Sequence, residues 1–209
     1  MLVRDIMRSP VVAISPDTTL QDAYRTMQQQ NIRHLPVLES NNLVGVITDR
    51  DLRLATSLLA PTPFPPDGRV SAVMCRTPLT ADAMDPVEDA ARTMREKKIG
   101  CLPVMDNGDL IGIITGIDLL DALMRMTGVD KPSGRLEVRL SDRPGELARL
   151  TSFLSHRDVN VHSILSYPDG PNLVRTVLRL GSIEVRLLAQ ELRRSEFEVL
   201  WPPEKPCPR

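Results

Sequence analysis

Aromatic side chains are scarce: one Trp, two Tyr and three Phe are 3% of 209 residues. That leaves few rings on which a single nucleic-acid strand could stack. Charge of one sign is missing too, since 26 Lys and Arg meet 27 Asp and Glu for a net −1. So even a balance provides no basic field for nucleic acid or an anionic membrane. No apolar run approaches the ~18 residues that would span a bilayer. Cys75, Cys101 and Cys207 are odd in number, widely spaced and form no Cys-x-x-Cys pair. Neither a disulfide framework nor a zinc site is indicated, and a reducing cytoplasm is the expected compartment. The first residues already belong to a structural segment, so no signal peptide is expected. His34, His156 and His162 sit at no metal-ligand spacing. A Gly-x-Ser-x-Gly elbow, a Walker A loop and a Rossmann glycine run are all lacking. No two carboxylates form a recognisable acid/base pair, so catalysis is not expected and no cofactor is required.

What is present is a stretch that occurs twice. Ile32-Arg33-His34-Leu35-Pro36-Val37 leads to Leu43-Val44-Gly45-Val46-Ile47-Thr48-Asp49-Arg50-Asp51-Leu52. Ile99-Gly100-Cys101-Leu102-Pro103-Val104 leads to Leu110-Ile111-Gly112-Ile113-Ile114-Thr115-Gly116-Ile117-Asp118-Leu119, every position offset by 67. A fixed offset means two copies of one structural unit. The apolar, β-branched runs read as buried strands, and 39–42 and 106–109 read as hairpin turns between them. Each second strand empties into Thr-x-x-Asp, a helix start.

Upstream, Leu20, Ala23, Tyr24 and Met27 match Val87, Ala90, Ala91 and Met94 as helical stripes. Thr18-x-x-Gln21 and Asp85-x-x-Glu88 are the expected capping boxes, with Pro86 at the first helical position. Lead-in segments around Met7-Arg8-Ser9-Pro10 and Met74-Cys75-Arg76-Thr77-Pro78 precede them. The first copy's last helix is expected from Asp49 to about Ala60, and the second's to end near Met126. The expected bounds are 1–60 and 70–127, with a proline-rich joint at 61–69 and a linker at 128–133.

From Arg135 the pattern changes. Leu136, Val138 and Leu140 alternate as a strand, and Leu147, Leu150, Thr151 and Leu154 form a helical stripe. Two β-rich runs, 159–166 and 173–180, flank a Pro-Asp-Gly-Pro reversal. A helix from about 181 to 194 and a strand over 196–201 complete a β-α-β-β-α-β order across 134–202. The tail, 203–209, is proline-rich and expected to be disordered.

The Gly-h-h-Thr-x-x-Asp run (h, apolar), present twice at matched spacing, resembles a tandem pair of CBS domains, the module named after cystathionine β-synthase. The resemblance implies a Bateman-type module that binds an adenine nucleotide of the AMP, ADP or ATP class. Asp51 and Asp118 would then accept hydrogen bonds from ribose hydroxyls, and Thr48 and Thr115 would meet the phosphate side. Arg50 would contact phosphate, whereas its counterpart Ile117 carries no charge, leaving Arg8, Arg33 or Arg76 to serve the second site. For those three arginines the plainer expectation is a solvated surface charge. Adenine would lie between Val11 and Val12, or Leu79 and Thr80, and the strands holding Pro36 and Pro103. Capping alone also accounts for each Thr/Asp pair.

Asp142-Arg143-Pro144-Gly145-Glu146-Leu147 with Val159-Asn160-Val161 resembles an ACT domain. The implied fold is α+β, two CBS repeats followed by a ferredoxin-like ACT domain. The resemblance places Asp142, Gly145, Glu146, Leu147 and Asn160 around an amino acid or other small metabolite. The alternative is a tight turn with Asp142 as cap. A CBS pair followed by an ACT domain further resembles the bacterial acetoin utilisation (AcuB-type) proteins, a name that specifies no chemistry. The implied protein is a non-catalytic, homodimeric regulator that acts through an unidentified partner protein. The alternative is a regulatory subunit of an enzyme complex, with the ACT domain serving only dimerisation or docking.

Overall fold

The computed structural model describes residues 1–204; Cys207 and most of the expected disordered tail lie outside the described residues. The chain divides into two units, Met1–Ala122 and Leu123–Arg209.

In the first unit each copy supplies a helix, a hairpin and a second helix: α1 (Leu20–Gln30), β1 (His34–Glu39), β2 (Asn42–Thr48) and α2 (Asp49–Ala55). Separated from these by β3 (Cys75–Arg76) and β4 (Ala81–Asp82), the second copy supplies α3 (Val87–Lys97), β5 (Cys101–Asp106), β6 (Asp109–Thr115) and α4 (Gly116–Thr127), whose last residues, from Leu123, belong to the second unit. Helix α1 buries Leu20, Ala23 and Met27, and α3 buries Val87, Ala90 and Met94, so the 3.6-residue stripe reaches the core. Tyr24 falls off that stripe and is 44% exposed. The caps differ from expectation. Thr19, not Thr18, accepts the Asp22 N–H at 3.0 Å, while Thr18 instead accepts from Ser15 N–H. Helix α3 has Pro86 at its N-cap with no side-chain cap, because the Asp85 carboxylate is spent on Asp82 N–H. Both hairpins turn through two residues of positive φ, Ser40 with Asn41 and Asn107 with Gly108, the geometry two-residue hairpins favour.

Helix α2 stops at Ala55, short of Ala60. Thr56 bonds back to the Leu52 carbonyl through both its N–H and its hydroxyl, and Phe64 N–H takes the Ala55 carbonyl. Leu58 and Leu59 consequently leave the helix and are almost fully exposed.

The two copies exchange their lead-ins. Arg8 pairs with Ile113 of β6 in the second copy, and β3 pairs with β2 in the first. Val3 joins the core of the second copy and Val70 and Met74 join that of the first. Downstream each lead-in returns home, Ile14 beside Val37 and β4 parallel to β5. The repeated glycine makes the crossing possible. A Cβ on Gly45 would lie 2.6 Å from Met74 Sδ, and one on Gly112 would lie 2.6 Å from Met7 Sδ. Val46, Cys101 and Ile113, with Val11 against them, form a small apolar joint between the copies.

The second unit carries β7 (Gly134–Ser141), α5 (Glu146–Ser155), β8 (Val161–Pro168), β9 (Leu173–Leu180), α6 (Arg186–Arg194) and β10 (Glu198–Trp201). The strand order is β10-β7-β9-β8, all antiparallel, which is the ferredoxin-like arrangement. Leu136, Val138, Leu140, Leu178 and Leu180 meet Leu150, Leu154, Leu188 and Leu192 in one core. Leu147, expected on the buried stripe, is 44% exposed, because α5 begins at Glu146 and turns it outward. Helix α6 begins at Arg186, five residues later than expected, after the irregular segment 181–185.

Candidate functional site

The two Thr-x-x-Asp motifs sit where β2 and β6 end and α2 and α4 begin. In the first, the Thr48 hydroxyl and N–H donate to Asp51 Oδ2 at 2.6 and 2.9 Å, and Asp51 N–H donates to Thr48 Oγ1 at 3.2 Å. This reciprocal box fixes the carboxylate by one oxygen. Asp51 Oδ1 has no protein partner among the described residues, and the side chain is partly exposed.

The second motif repeats the grip, with the Thr115 hydroxyl and N–H donating to Asp118 Oδ2 at 2.6 and 2.8 Å. Here the other oxygen is engaged. Arg8 Nε donates to Asp118 Oδ1 at 2.9 Å, and the carboxylate is only 4% exposed. Arg8 was expected to be a solvated charge. The exchange of lead-ins carries it to β6, and desolvation of Asp118 then favours a cationic partner. In the first copy the corresponding place, opposite Val46, is held by Cys75, which offers no charge.

His34 stands near both motifs. Burial and the Arg33 charge push its pKa below the ordinary value, against the opposing pull of Asp51, Asp118 and Asp49. Cys101 takes the corresponding place in the second copy, where burial, with Asp51 and Cys75 adding to it, pushes the thiol up to about 12. A thiol held protonated in this way is unreactive. Among the described residues no cluster of His, Cys, Asp and Glu suits a metal ion.

The remaining motif residues are placed unevenly. Arg50 and Arg33 are exposed with no ion pair among the described residues, and Arg76 donates to the Ser71 carbonyl. Pro36 and Pro103 are buried in their strands, Val11 packs against the joint, and Val12, Leu79 and Thr80 are exposed. In the second unit Gly145 occupies φ +95° at the start of α5, with open space where a Cβ would be. Asp142 does not cap that helix: its N–H pairs with the Asn172 carbonyl, and Gly145 is the N-cap residue. Glu146 pairs with Arg149, Leu147 is exposed, and the Asn160 carbonyl accepts from Gly181 N–H.

Two intertwined copies of a hairpin and helix, each with a Thr/Asp pair where strand passes into helix, define a tandem-repeat module. The CBS domain model matches residues 3–57 and 70–125, more than half of the chain, and the ACT domain model matches 134–197. The chain belongs to the CBS domain family, with an ACT domain following the pair. A CBS domain-containing protein of Dictyostelium discoideum is 40% identical over 139 residues, spanning 60% of this chain and 93% of that one. The inosine-5'-monophosphate dehydrogenase of Korarchaeum cryptofilum is 29% identical over 86% of this chain, but that covers only 36% of the enzyme. Among solved structures, the CBS domain pair of protein MJ0100 with 5'-methylthioadenosine and S-adenosyl-L-methionine aligns at TM-score 0.54 and 27% identity, covering 63% of this chain and 98% of that one. CBSX2 in complex with AMP aligns at TM-score 0.54 and 30% identity over 60% and 97%. The Vibrio cholerae protein assigned to acetoin utilization (AcuB) aligns at 0.53 and 29% over 62% and 95%.

Among the described residues no helix is long and apolar enough to cross a membrane.

Proposed function

We propose that the chain is a non-catalytic regulatory protein that binds an adenine nucleotide in its CBS pair, through Asp51 in the first site. The observation that carries this is the carboxylate held by Thr48 at one oxygen and, among the described residues, left without a protein partner at the other. An anchored carboxylate acceptor is suited to a pair of ribose hydroxyls, because holding its orientation beforehand lowers the ordering cost of binding. Arg50, exposed beside it, supplies the phosphate contact. The adenosine compounds bound by MJ0100 and the AMP bound by CBSX2 support the ligand class. The second site is held by Arg8 and takes ligand only when Arg8 releases Asp118 or turns to the phosphate. Calorimetric titration of AMP, ADP, ATP and S-adenosylmethionine tests the assignment; absence of binding below millimolar concentration would end it.

The same proposal includes a homodimer. Ile117, Leu120 and Leu123 on α4 are each about half exposed, more apolar surface than a solvated helix face needs. Light scattering at micromolar concentration should give twice the chain mass, and a monomer mass contradicts it. The likeness to AcuB supports a regulator of that class. In this reading the ACT domain, matched over 134–197, senses a small metabolite near Gly145.

A further inference from the structure

The four-stranded sheet of the second unit has one face under α5 and α6 and an opposite, polar face. On that face alternate residues of neighbouring strands come level. Arg139 lies opposite Arg175, and two rungs away Arg135 lies opposite Arg179. Like charges directly opposite each other on a sheet repel. At the first rung the protein supplies the remedy. Asp169 accepts from Arg139 Nε at 2.7 Å and Arg175 Nη2 at 3.0 Å, and those hydrogen bonds hold its carboxyl below the usual range. At the second rung there is no such bridge. Arg135 pairs sideways with Glu137, which is buried and also takes Arg175, while Arg179 has no carboxylate partner among the described residues.

Above this unbridged pair lies a cavity of about 420 Å³. Its walls are Leu123, Val129, Leu165 and Val177, with Arg135 and Arg179 at its polar end. The segment carrying Leu123 and Val129 is tied down, since Ser163 Oγ donates to the Thr127 carbonyl at 2.7 Å. The volume falls within the roughly 300–1,000 Å³ of small-molecule sites, and an apolar lining with a few convergent polar groups is their usual character. We propose that this cavity binds a small monocarboxylate with a branched apolar tail, its carboxylate bridging Arg135 and Arg179 as Asp169 bridges Arg139 and Arg175. The site is distinct from the Gly145 turn, which lies at the other end of β7. Among the described residues no acidic side chain lines the cavity to receive an ammonium group, so a free amino acid is disfavoured.

The test uses the full chain and three probes that share one carbon skeleton: 4-methylpentanoate, leucine and 4-methylpentan-1-ol. Calorimetry should show the acid binding, with leucine and the alcohol weaker by about tenfold or more. Arg179→Gln should weaken the acid by about tenfold or more. Leu165→Trp, which fills the cavity without touching the charges, should abolish binding. Leu187→Ala, on the exposed side of α6 and away from the cavity, should change nothing. The proposal is overturned if the acid fails to bind at roughly 10 mM, if either cavity variant binds it normally, if leucine binds as well, or if Leu187→Ala weakens it.

Discussion

Arg8 and Asp118, 110 residues apart, meet at 2.9 Å, and the same contact has no counterpart at Asp51. The pair joins the first copy's lead-in to the second copy's motif, so the two repeats differ electrostatically despite their matched backbones. Removing Arg8 leaves a buried carboxylate with one oxygen unsatisfied. Arg8→Ala should therefore lower stability by about 1–2 kcal/mol, read as a fall in the urea midpoint at unchanged slope. Cys75→Ala, at the corresponding place, should shift it by less than half as much.

The crossing of the lead-ins makes a second demand. Gly45→Ala brings a methyl within 2.6 Å of Met74 Sδ and 3.0 Å of the Cys75 carbonyl, and backbone gives way less readily than a side chain. A loss of about 1–3 kcal/mol is expected. Gly108→Ala serves as a contrasting case, since it meets no atom within 4 Å and is strained only by its φ of +92°. Hydrogen exchange in Gly45→Ala should rise over β3 and β2 together; a rise confined to the hairpin turn would contradict the exchange of lead-ins.

His34 gives a pH signature. Its pKa in the folded chain lies below the ordinary 6.5, mainly through burial and then Arg33. The unfolded chain therefore binds the proton more readily. The contribution is fully present above about pH 6.5 and is lost as pH falls from there through the lower folded value. Denaturation midpoints at pH 7.5 and 5.5 should differ less in His34→Gln than in the parent. An equal difference in the two proteins would show that His34 is not the group responsible.

Much of this architecture was legible in the residues, for reasons that are local. The offset of 67, the Val-Gly-Val-Ile strand and the Thr/Asp start all express short-range physics: β-branching, hairpin turns and capping. The exchange of lead-ins was not legible, because Met7 and Met74 suit either copy's glycine equally well in an internally repeated chain. The ion pair of Arg8, whose side chain is 60% exposed, was not legible for the same reason: its partner is set by which sheet the segment joins. The ends of α2 and α6 were overextended because Leu58, Leu59 and Ile183 continue an apolar pattern that the backbone abandons. The cavity over Arg135 and Arg179 had a faint signal in alternate arginines of β7 and β9. Only the register between those strands brings them opposite.

The difference between the two Thr/Asp sites is the centre of the functional account. Titrating AMP and ATP into the parent, Asp51→Ala and Asp118→Ala proteins, each checked for unchanged circular dichroism, tests it most directly. Loss of a charge-assisted acceptor for ribose is worth about 1.5–3 kcal/mol, so Asp51→Ala should bind ten- to a hundredfold more weakly. Asp118→Ala should leave this first binding event within about threefold of the parent, less than 0.7 kcal/mol. Normal affinity in Asp51→Ala, or a loss confined to Asp118→Ala, would contradict the account.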